Sequence, residues 1–340
     1  MNKTLKSIFF SIGILLFTFL IWDFGVVNII TNIEQTGWWF VSIIGIWGIV
    51  YLLNAISWYI IIDAKNNEIS FINIFSISLS GFAINYITPF VNLGGEPYRI
   101  IALREYLGLS NSISSTISFT MLHQLSHFFF WLAAIVIVFF LFTISAGIET
   151  LLFITLAILL ILIVFFFSRH KKGIFQSLLQ ILSKLPLKKI FYNKIIPKEE
   201  ILLKIDEEIK EFYNRKKKIF YSALSIEFTA RMISSLEYYF ILKAVGFEPT
   251  FLDAFLINAG ASLIMNILFF IPMGLGTREG GLILVLEGLK YASGVGVYVG
   301  LVNRIREFFW ILIGLLLIQF RTINSNKLKT TKNLSQVYND

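Results

Sequence analysis

The chain has 340 residues, of which 56% are hydrophobic and only 15% are charged, and its mean hydropathy is +0.77. This balance excludes an ordinary soluble protein and predicts an all-α polytopic integral membrane protein. The absence of cysteine excludes disulfides, thiolate catalysis and cysteine-bound metals. No stretch suits a separate soluble domain, so residues 1–322 are predicted to form one transmembrane domain and residues 323–340 a disordered tail.

The net charge of +8 is concentrated in one segment. Residues 169–218 contain fourteen Lys or Arg and six Asp or Glu, an excess equal to that of the whole chain. Such basic segments accumulate in cytoplasmic loops, where they meet anionic headgroups. We therefore expect the N-terminus, this loop and the Lys-rich C-terminal tail to be cytoplasmic, in a multi-pass protein of the cell membrane. Nucleic-acid binding is not expected.

The first apolar run, residues 5–24, is followed by no small-residue cleavage pattern, so it is predicted to be a retained helix and not a signal peptide. Residues 25–37 carry no Lys or Arg and are predicted to form an outer loop. The second helix, residues 38–62, returns to the cytoplasm. An interrupted apolar region follows over residues 71–112.

Beyond that region, a third helix is predicted over residues 113–142, and a fourth helix ends at Arg169. Within the basic loop, residues 198–213 have apolar side chains at helical spacing. They predict an amphipathic helix that lies on the membrane or on the protein's own cytoplasmic face. A fifth helix is predicted over residues 219–242.

The last part of the chain is predicted to contain a second interrupted region, residues 251–302, and a final helix, residues 303–320. The two interrupted regions share one pattern, in which an asparagine precedes a proline and a glutamate follows that proline by seven positions. The first region contains Asn85, Pro89, Gly94, Gly95, Glu96 and Arg99, and the second contains Asn266, Pro272, Gly274, Gly276, Arg278 and Glu279. A short helix is predicted to start at Pro97 and to stop near Gly108, and another starts with Thr277 as its N-cap.

Sidedness constrains both regions. The second helix ends inside and the third must start inside, so residues 71–112 must enter and leave from the cytoplasmic face. By the same reasoning, residues 251–302 must enter and leave from the outer face. We therefore predict about six full spans plus two re-entrant, broken-helix hairpins that form an inverted repeat. A pair of full spans in place of each hairpin would satisfy the same sidedness.

Each break combines a helix N-terminus with an arginine, a pairing that suits phosphate or carboxylate. We predict that Arg99, Arg278 and Arg304 hold a lipid phosphate. Glu96 and Glu279 would position these arginines or bind a cationic headgroup substituent. The structural alternative is that glycine and proline make tight turns and that the charged residues pair with each other.

Two histidines and one charged pair need separate interpretation. His123 has a spacing after Pro89 similar to that of Arg304 after Pro272, and it is predicted to be the polar counterpart of Arg304 in the first repeat. His123 and His127 lack a third ligand, so no metal site is predicted. Glu227 and Arg231 are interpreted as an i,i+4 pair near the cytoplasmic interface. Hydrolase-elbow and phosphate-loop motifs are absent, and no cofactor is predicted.

These residues resemble the flippase-like membrane domain family, the transmembrane part associated with lysylphosphatidylglycerol synthases. The resemblance rests on the two broken motifs and on Arg304, and it covers the chain to about Phe320. It implies lipid translocation between leaflets, with aminoacylated phosphatidylglycerol as the best-known cargo. The soluble domain that attaches lysine is absent, so aminoacylation is not implied. Family members often carry Glu-Arg where this chain has His123-Gln124, which puts a cargo that needs that arginine in doubt.

We therefore expect the chain to move an anionic phospholipid or a lipid-linked intermediate across the membrane. One alternative is an intramembrane enzyme that acts on a lipid phosphate, with Glu96 or Glu279 as general base. Another is an accessory subunit of a glycosyltransferase or lipid synthase. The expected partners are membrane lipids, a second copy of the chain or a separate lipid-modifying enzyme.

Overall fold

The computed structural model describes residues 15, 18, 22, 25–64, 66–67, 69–88, 94–169, 199–268 and 276–337. In that part of the chain every regular element is an α-helix. The helices are α1 (Val26–Thr36), α2 (Trp39–Ile61), α3 (Phe71–Ile87), α4 (Gly95–Leu141), α5 (Ala146–Arg169), α6 (Glu199–Asn214), α7 (Lys217–Ser234), α8 (Leu236–Ala244), α9 (Phe251–Ile267), α10 (Thr277–Gly288) and α11 (Ser293–Val337).

The helices confirm an all-α polytopic membrane protein. Three described stretches are long and apolar enough to cross a bilayer, namely Trp39–Ile62, Gly95–Leu141 and Ala146–Phe167. The helices α3 and α9 are apolar but have only 17 residues each. A helix of that length extends about 25 Å at 1.5 Å per residue, which is less than the hydrocarbon thickness of about 30 Å.

The 47-residue helix α4 contains one break in its backbone. Gly108 has φ 73° and ψ 176°, so it ends one helical segment and starts another. A left-handed φ is readily adopted only by glycine, and the stop predicted near Gly108 is confirmed. The first segment begins at Gly95 and not at Pro97, whose missing N–H is tolerated within the first turn.

Each interrupted region folds as an antiparallel helix hairpin. In the first hairpin, α3 packs so closely on the start of α4 that a side chain on Gly95 would overlap the carbonyl oxygen of Gly81. In the second, α9 packs on α10, with Gly281 against Ile264. The connecting residues 89–93 and 269–275 lie outside the described residues, and with them Pro89, Pro272 and Gly274.

The last helix, α11, contacts both hairpins. Gly314 lies against Ala83 and Leu79 of α3, and the Ser80 hydroxyl donates to the Gly314 carbonyl at 3.0 Å. Fourteen residues earlier, Gly300 lies against the side chain of Glu279 on α10. The helix α11 therefore connects the two hairpins.

The amphipathic helix predicted over residues 198–213 is found as α6. Its apolar residues Ile205, Ile209 and Phe212 are buried, and the helix packs on α4 and α7. Glu208 accepts hydrogen bonds from the hydroxyls of Ser110 (3.2 Å) and Ser114 (2.5 Å), just after the break at Gly108. Of the two placements predicted for this helix, the protein's own surface is the one observed.

Several predicted boundaries are corrected. Residues 25–37, predicted to be a loop, contain α1, which packs on α11 through a hydrogen bond between Thr36 and Tyr298 at 2.7 Å. The fifth helix is divided into α7 and α8 at Ser235. The final helix begins at Ser293, ten residues earlier than predicted, and its helical backbone continues through Val337 into the segment predicted to be disordered. The first predicted helix, residues 5–24, lies mostly outside the described residues.

Candidate functional site

A polar cavity of about 140 Å³ lies among α2, α4, α7, α8, α9, α10 and α11. Its walls include three arginines, Arg231, Arg278 and Arg306, together with Glu307, His127 and Asn303. Ionisable side chains within a membrane bundle are costly to bury and commonly line a substrate path or pair with one another. This cavity is therefore the candidate functional site.

The first arginine, Arg278, stands in the first turn of α10, next to the tip of the second hairpin. Its Nη1 donates to Glu307 of α11 at 2.6 Å, and both side chains are about nine-tenths buried. The Arg278 Nε is buried and has no hydrogen-bond partner. Tyr86, at the end of α3, lies beside the same Glu307 carboxylate, so residues next to both hairpin tips meet at Glu307.

The second arginine, Arg306, is held on α11 by a buried network. Its Nε and Nη2 donate to Glu237 of α8 at 2.9 and 3.1 Å. Asn303 and Trp47 also donate to Glu237, each at 2.6 Å, and the Arg306 guanidinium lies 3.7 Å from the centre of the Trp47 ring. The Arg306 Nη1 has no hydrogen-bond partner and lies 3.8 Å from Glu307.

The third arginine, Arg231 of α7, is positioned by α4. It donates to the Ser126 hydroxyl at 2.9 Å and to Nε2 of His123 at 2.8 Å. Because arginine can only donate, Nε2 of His123 is the acceptor and Nδ1 carries the proton, which it donates to Glu227 at 2.7 Å. Glu227 and Arg231 thus bond to opposite sides of one imidazole, and the direct i,i+4 pair predicted for them is wrong.

The predicted residues of the first break form a structural unit beside the cavity. Asn85 accepts from the backbone N–H of Gly95 at 2.5 Å and donates to Glu96 at 3.1 Å. Arg99 lies 3.5 Å from Glu96 and about 5.5 Å from the rings of Trp58 and Phe119. These contacts fix the hairpin, and Arg99 does not line the cavity.

The predicted residues of the second break are divided between two places. Arg278 reaches the cavity, whereas Glu279 pairs with Arg304 at 2.8 Å and caps the backbone N–H of Gly276 at 3.1 Å. The N-cap of α10 is Gly276, with φ 73°, and not Thr277 as predicted. Asn266 donates to the Ser262 carbonyl at 2.9 Å and is exposed.

The spacing of the two glutamates favours a different equivalence between the repeats. Glu279 follows Glu96 by 183 residues, and the same offset leads from His123 to Arg306, not to Arg304. The backbone agrees, because left-handed residues follow both short helices at nearly this offset, Gly108 with φ 73° and Lys290 with φ 66°. Sequence reasoning missed Arg306 as a site residue, although the offset between the two glutamates could have found it.

Other cavity residues carry no sequence signal of their own. Trp47, Asn258 and Asn303 stand in ordinary apolar helices, and their role depends on contacts between distant segments. Within the described residues, no group of three or more His, Asp and Glu could hold a metal ion. The side chains that converge here offer cationic hydrogen-bond donors, which suit an anionic oxygen.

Comparison with known proteins agrees with the resemblance seen in the motifs. The family described as the lysylphosphatidylglycerol synthase TM region matches residues 5–314. The UPF0104 membrane protein PH1989 of Pyrococcus horikoshii is 25% identical over 339 residues, which cover 94% of this chain and 98% of the relative. No solved structure matches the chain.

Proposed function

The chain belongs to the family of lysylphosphatidylglycerol synthase transmembrane regions, and we propose that it moves an anionic phospholipid or a phosphate-bearing lipid intermediate across the membrane. The observation that supports this most directly is the cavity with three arginines inside the bundle, two of which keep an unused, buried donor atom. An unsatisfied buried donor costs about 1–3 kcal/mol. A phosphate oxygen that reaches Arg278 Nε or Arg306 Nη1 would remove that cost.

The contacts of Glu307 suggest how binding is coupled to movement. A phosphate that binds Arg278 competes with Glu307 for the same guanidinium. Glu307 also lies beside Tyr86 of the first hairpin, so loss of its pair with Arg278 loosens the junction of both hairpin tips. In this proposal the two hairpins are re-entrant from opposite faces, and their alternate movement opens the cavity to one leaflet at a time.

Arg99 and Arg304 have a supporting role in the proposal. Arg99 pairs with Glu96 of the same hairpin, and Arg304 of α11 pairs with Glu279 of the second hairpin. These pairs stabilise the ends of the hairpin helices, and the phosphate binds between Arg278 and Arg306. This assignment replaces the prediction that Arg99, Arg278 and Arg304 bind phosphate together.

The test is the transbilayer movement of fluorescent phosphatidylglycerol in proteoliposomes, followed by chemical quenching of the outer leaflet. We expect Arg278→Gln to lower the protein-dependent rate by about tenfold or more, since a charge-assisted hydrogen bond contributes about 1.5–3 kcal/mol. The matched control is Lys243→Gln, because Lys243 pairs with exposed Glu248 and does not line the cavity. Equal rates for both variants would refute the assignment of Arg278.

Mass spectrometry of the lipids separates transport from catalysis. Transport redistributes lipid without new species, whereas an intramembrane enzyme with Glu96 or Glu279 as base produces a new species. An accessory subunit would co-purify with a synthase. Without that synthase it would neither redistribute lipid nor produce a new species.

A further inference from the structure

An apolar pocket of about 280 Å³ lies beside the polar cavity, and residues of α4 and α9 separate the two spaces. The pocket lies between the last part of α4, the start of α5, and the helices α9 and α10. Its lining is almost entirely hydrocarbon and includes Ile135, Leu256, Leu263 and Val285. An engineered apolar cavity of about 150 Å³ binds benzene, so this volume accommodates a longer piece of hydrocarbon.

The wall between the two spaces is formed by neighbouring residues of α4 and of α9. On α4, His127 faces the polar cavity, and Trp131, one turn later, lines the apolar pocket. On α9, Ser262 lines the polar cavity and Leu263 lines the pocket. The two helices are joined at the wall, because the Trp131 Nε1 donates to the Ser262 hydroxyl at 2.9 Å.

The wall has one unsatisfied polar atom. The imidazole of His127 stacks on the Trp131 indole with 5.0 Å between the ring centres, and its Nδ1 is buried without a hydrogen-bond partner. A polar group therefore lies next to the hydrocarbon pocket with unused capacity. Such a junction matches the region of a lipid where the polar headgroup joins its chains.

We propose that the apolar pocket holds a hydrocarbon chain of the same lipid whose phosphate binds in the polar cavity, with Trp131 and Ser262 at the junction between them. This inference rests on the proposed function and adds to it a binding site for the hydrocarbon chain of the lipid. It makes Trp131 a specificity-determining residue. A free headgroup without a chain would leave the pocket empty, and its binding would lack the hydrophobic free energy that the chain contributes.

One glycine allows the pocket to be filled without disturbing its walls. Gly288 lines the pocket, and a Cβ added there meets no atom within 4 Å. Because Gly288 lines the pocket, we expect a leucine at this position to occupy part of the space that the chain would fill. Gly45 of α2 is the matched control, because it is exposed, also has nothing within 4 Å of an added Cβ, and lines neither space.

The experiment uses the full chain in phosphatidylcholine liposomes that contain phosphatidylglycerol with a photoactivatable group on one acyl chain. After irradiation, peptide mapping locates the cross-links. We expect cross-links on the pocket segments of α9 and α10, their loss in Gly288→Leu, and their retention in Gly45→Leu. Arg278→Gln should lower them about tenfold, since it removes the phosphate partner.

Three results would overturn the inference. The first is pocket labelling that persists in Gly288→Leu. The second is labelling that is unaffected by Arg278→Gln, or equally strong with photoactivatable phosphatidylcholine, which indicates general lipid contact. The third is phosphatidylglycerol movement that depends on Arg278 but is unchanged in Gly288→Leu, in which case the proposed function stands and the chain pocket does not.

Discussion

The pair formed by Arg278 and Glu307 offers a way to separate stability from transport. Its two side chains are about nine-tenths buried and meet at 2.6 Å, so Arg278→Gln leaves a buried carboxylate whose remaining cationic neighbour is Arg306 at 3.8 Å. Removal of one partner of a buried ion pair costs about 3–5 kcal/mol. We expect the single variants Arg278→Gln and Glu307→Gln to unfold at clearly lower temperature in detergent.

The double variant removes both charges and leaves two amides that can bond to each other. Replacement of a buried ion pair by hydrophobic residues of similar volume is often close to neutral in stability. Two glutamines likewise leave no unpaired charge at this site, so most of the lost stability should return. Transport should not return, because the cavity has lost a phosphate partner. Thermal unfolding monitored by tryptophan fluorescence gives the first quantity, and fluorescent phosphatidylglycerol movement in proteoliposomes gives the second. Recovery of both quantities in the double variant would mean that Arg278 serves structure alone.

The remaining predictions concern the first hairpin, the cytoplasmic helix and the wall between the two spaces. Gly95→Ala should destabilise the protein by about 1–3 kcal/mol in thermal unfolding, because the added Cβ would overlap the Gly81 carbonyl oxygen. Gly147→Ala is the control and should not destabilise it, because an added Cβ there meets open space. Equal unfolding temperatures for the two variants would contradict the close packing of the first hairpin. Glu208→Ala should raise the amide hydrogen-exchange rate in α6 and leave that in α9 unchanged, since it removes two hydrogen bonds worth about 1 kcal/mol each. An unchanged exchange rate in α6 would mean that these two bonds do not hold α6 in place. Trp131→Phe should alter the selectivity of transport for acyl-chain length, while movement that depends on Arg278 persists. Selectivity equal to that of the unaltered protein would contradict the role of Trp131 at the junction.

Much of the architecture follows from local properties of the sequence. Hydropathy predicts the long helices, and the glycine and proline clusters predict where both hairpins turn. The stop near Gly108 was predictable because few other residues adopt its left-handed backbone. Apolar spacing on residues 198–213 predicted α6, since an amphipathic pattern is local too.

The pairing of charged residues could not be predicted in the same way. Glu227 and Arg231 are one turn apart, and local reasoning pairs them, yet both bond to His123, more than 100 residues away. Arg306 likewise donates a hydrogen bond to Glu237, which is 69 residues away in the sequence. Such pairs depend on how the helices pack in three dimensions. The local sequence around each charged residue does not show which distant residue will be its partner.

The helix α1 was missed for a different reason. Residues 25–37 separate two predicted spans and were expected to form an outer loop, and the 11 residues of α1 are too few for a span. Its place is determined by contact with α11 through Thr36 and Tyr298. Tertiary contact therefore decides the conformation of a segment whose local pattern is ambiguous.

The central claim, movement of an anionic lipid through the bundle, is tested most directly by comparing two headgroups in proteoliposomes of the unaltered chain. The same fluorescent label is placed on phosphatidylglycerol and on phosphatidylcholine, and protein-free liposomes give the background rate. The three arginines at the cavity predict that the protein accelerates movement of phosphatidylglycerol more than that of phosphatidylcholine. Background rates for both lipids would contradict the account.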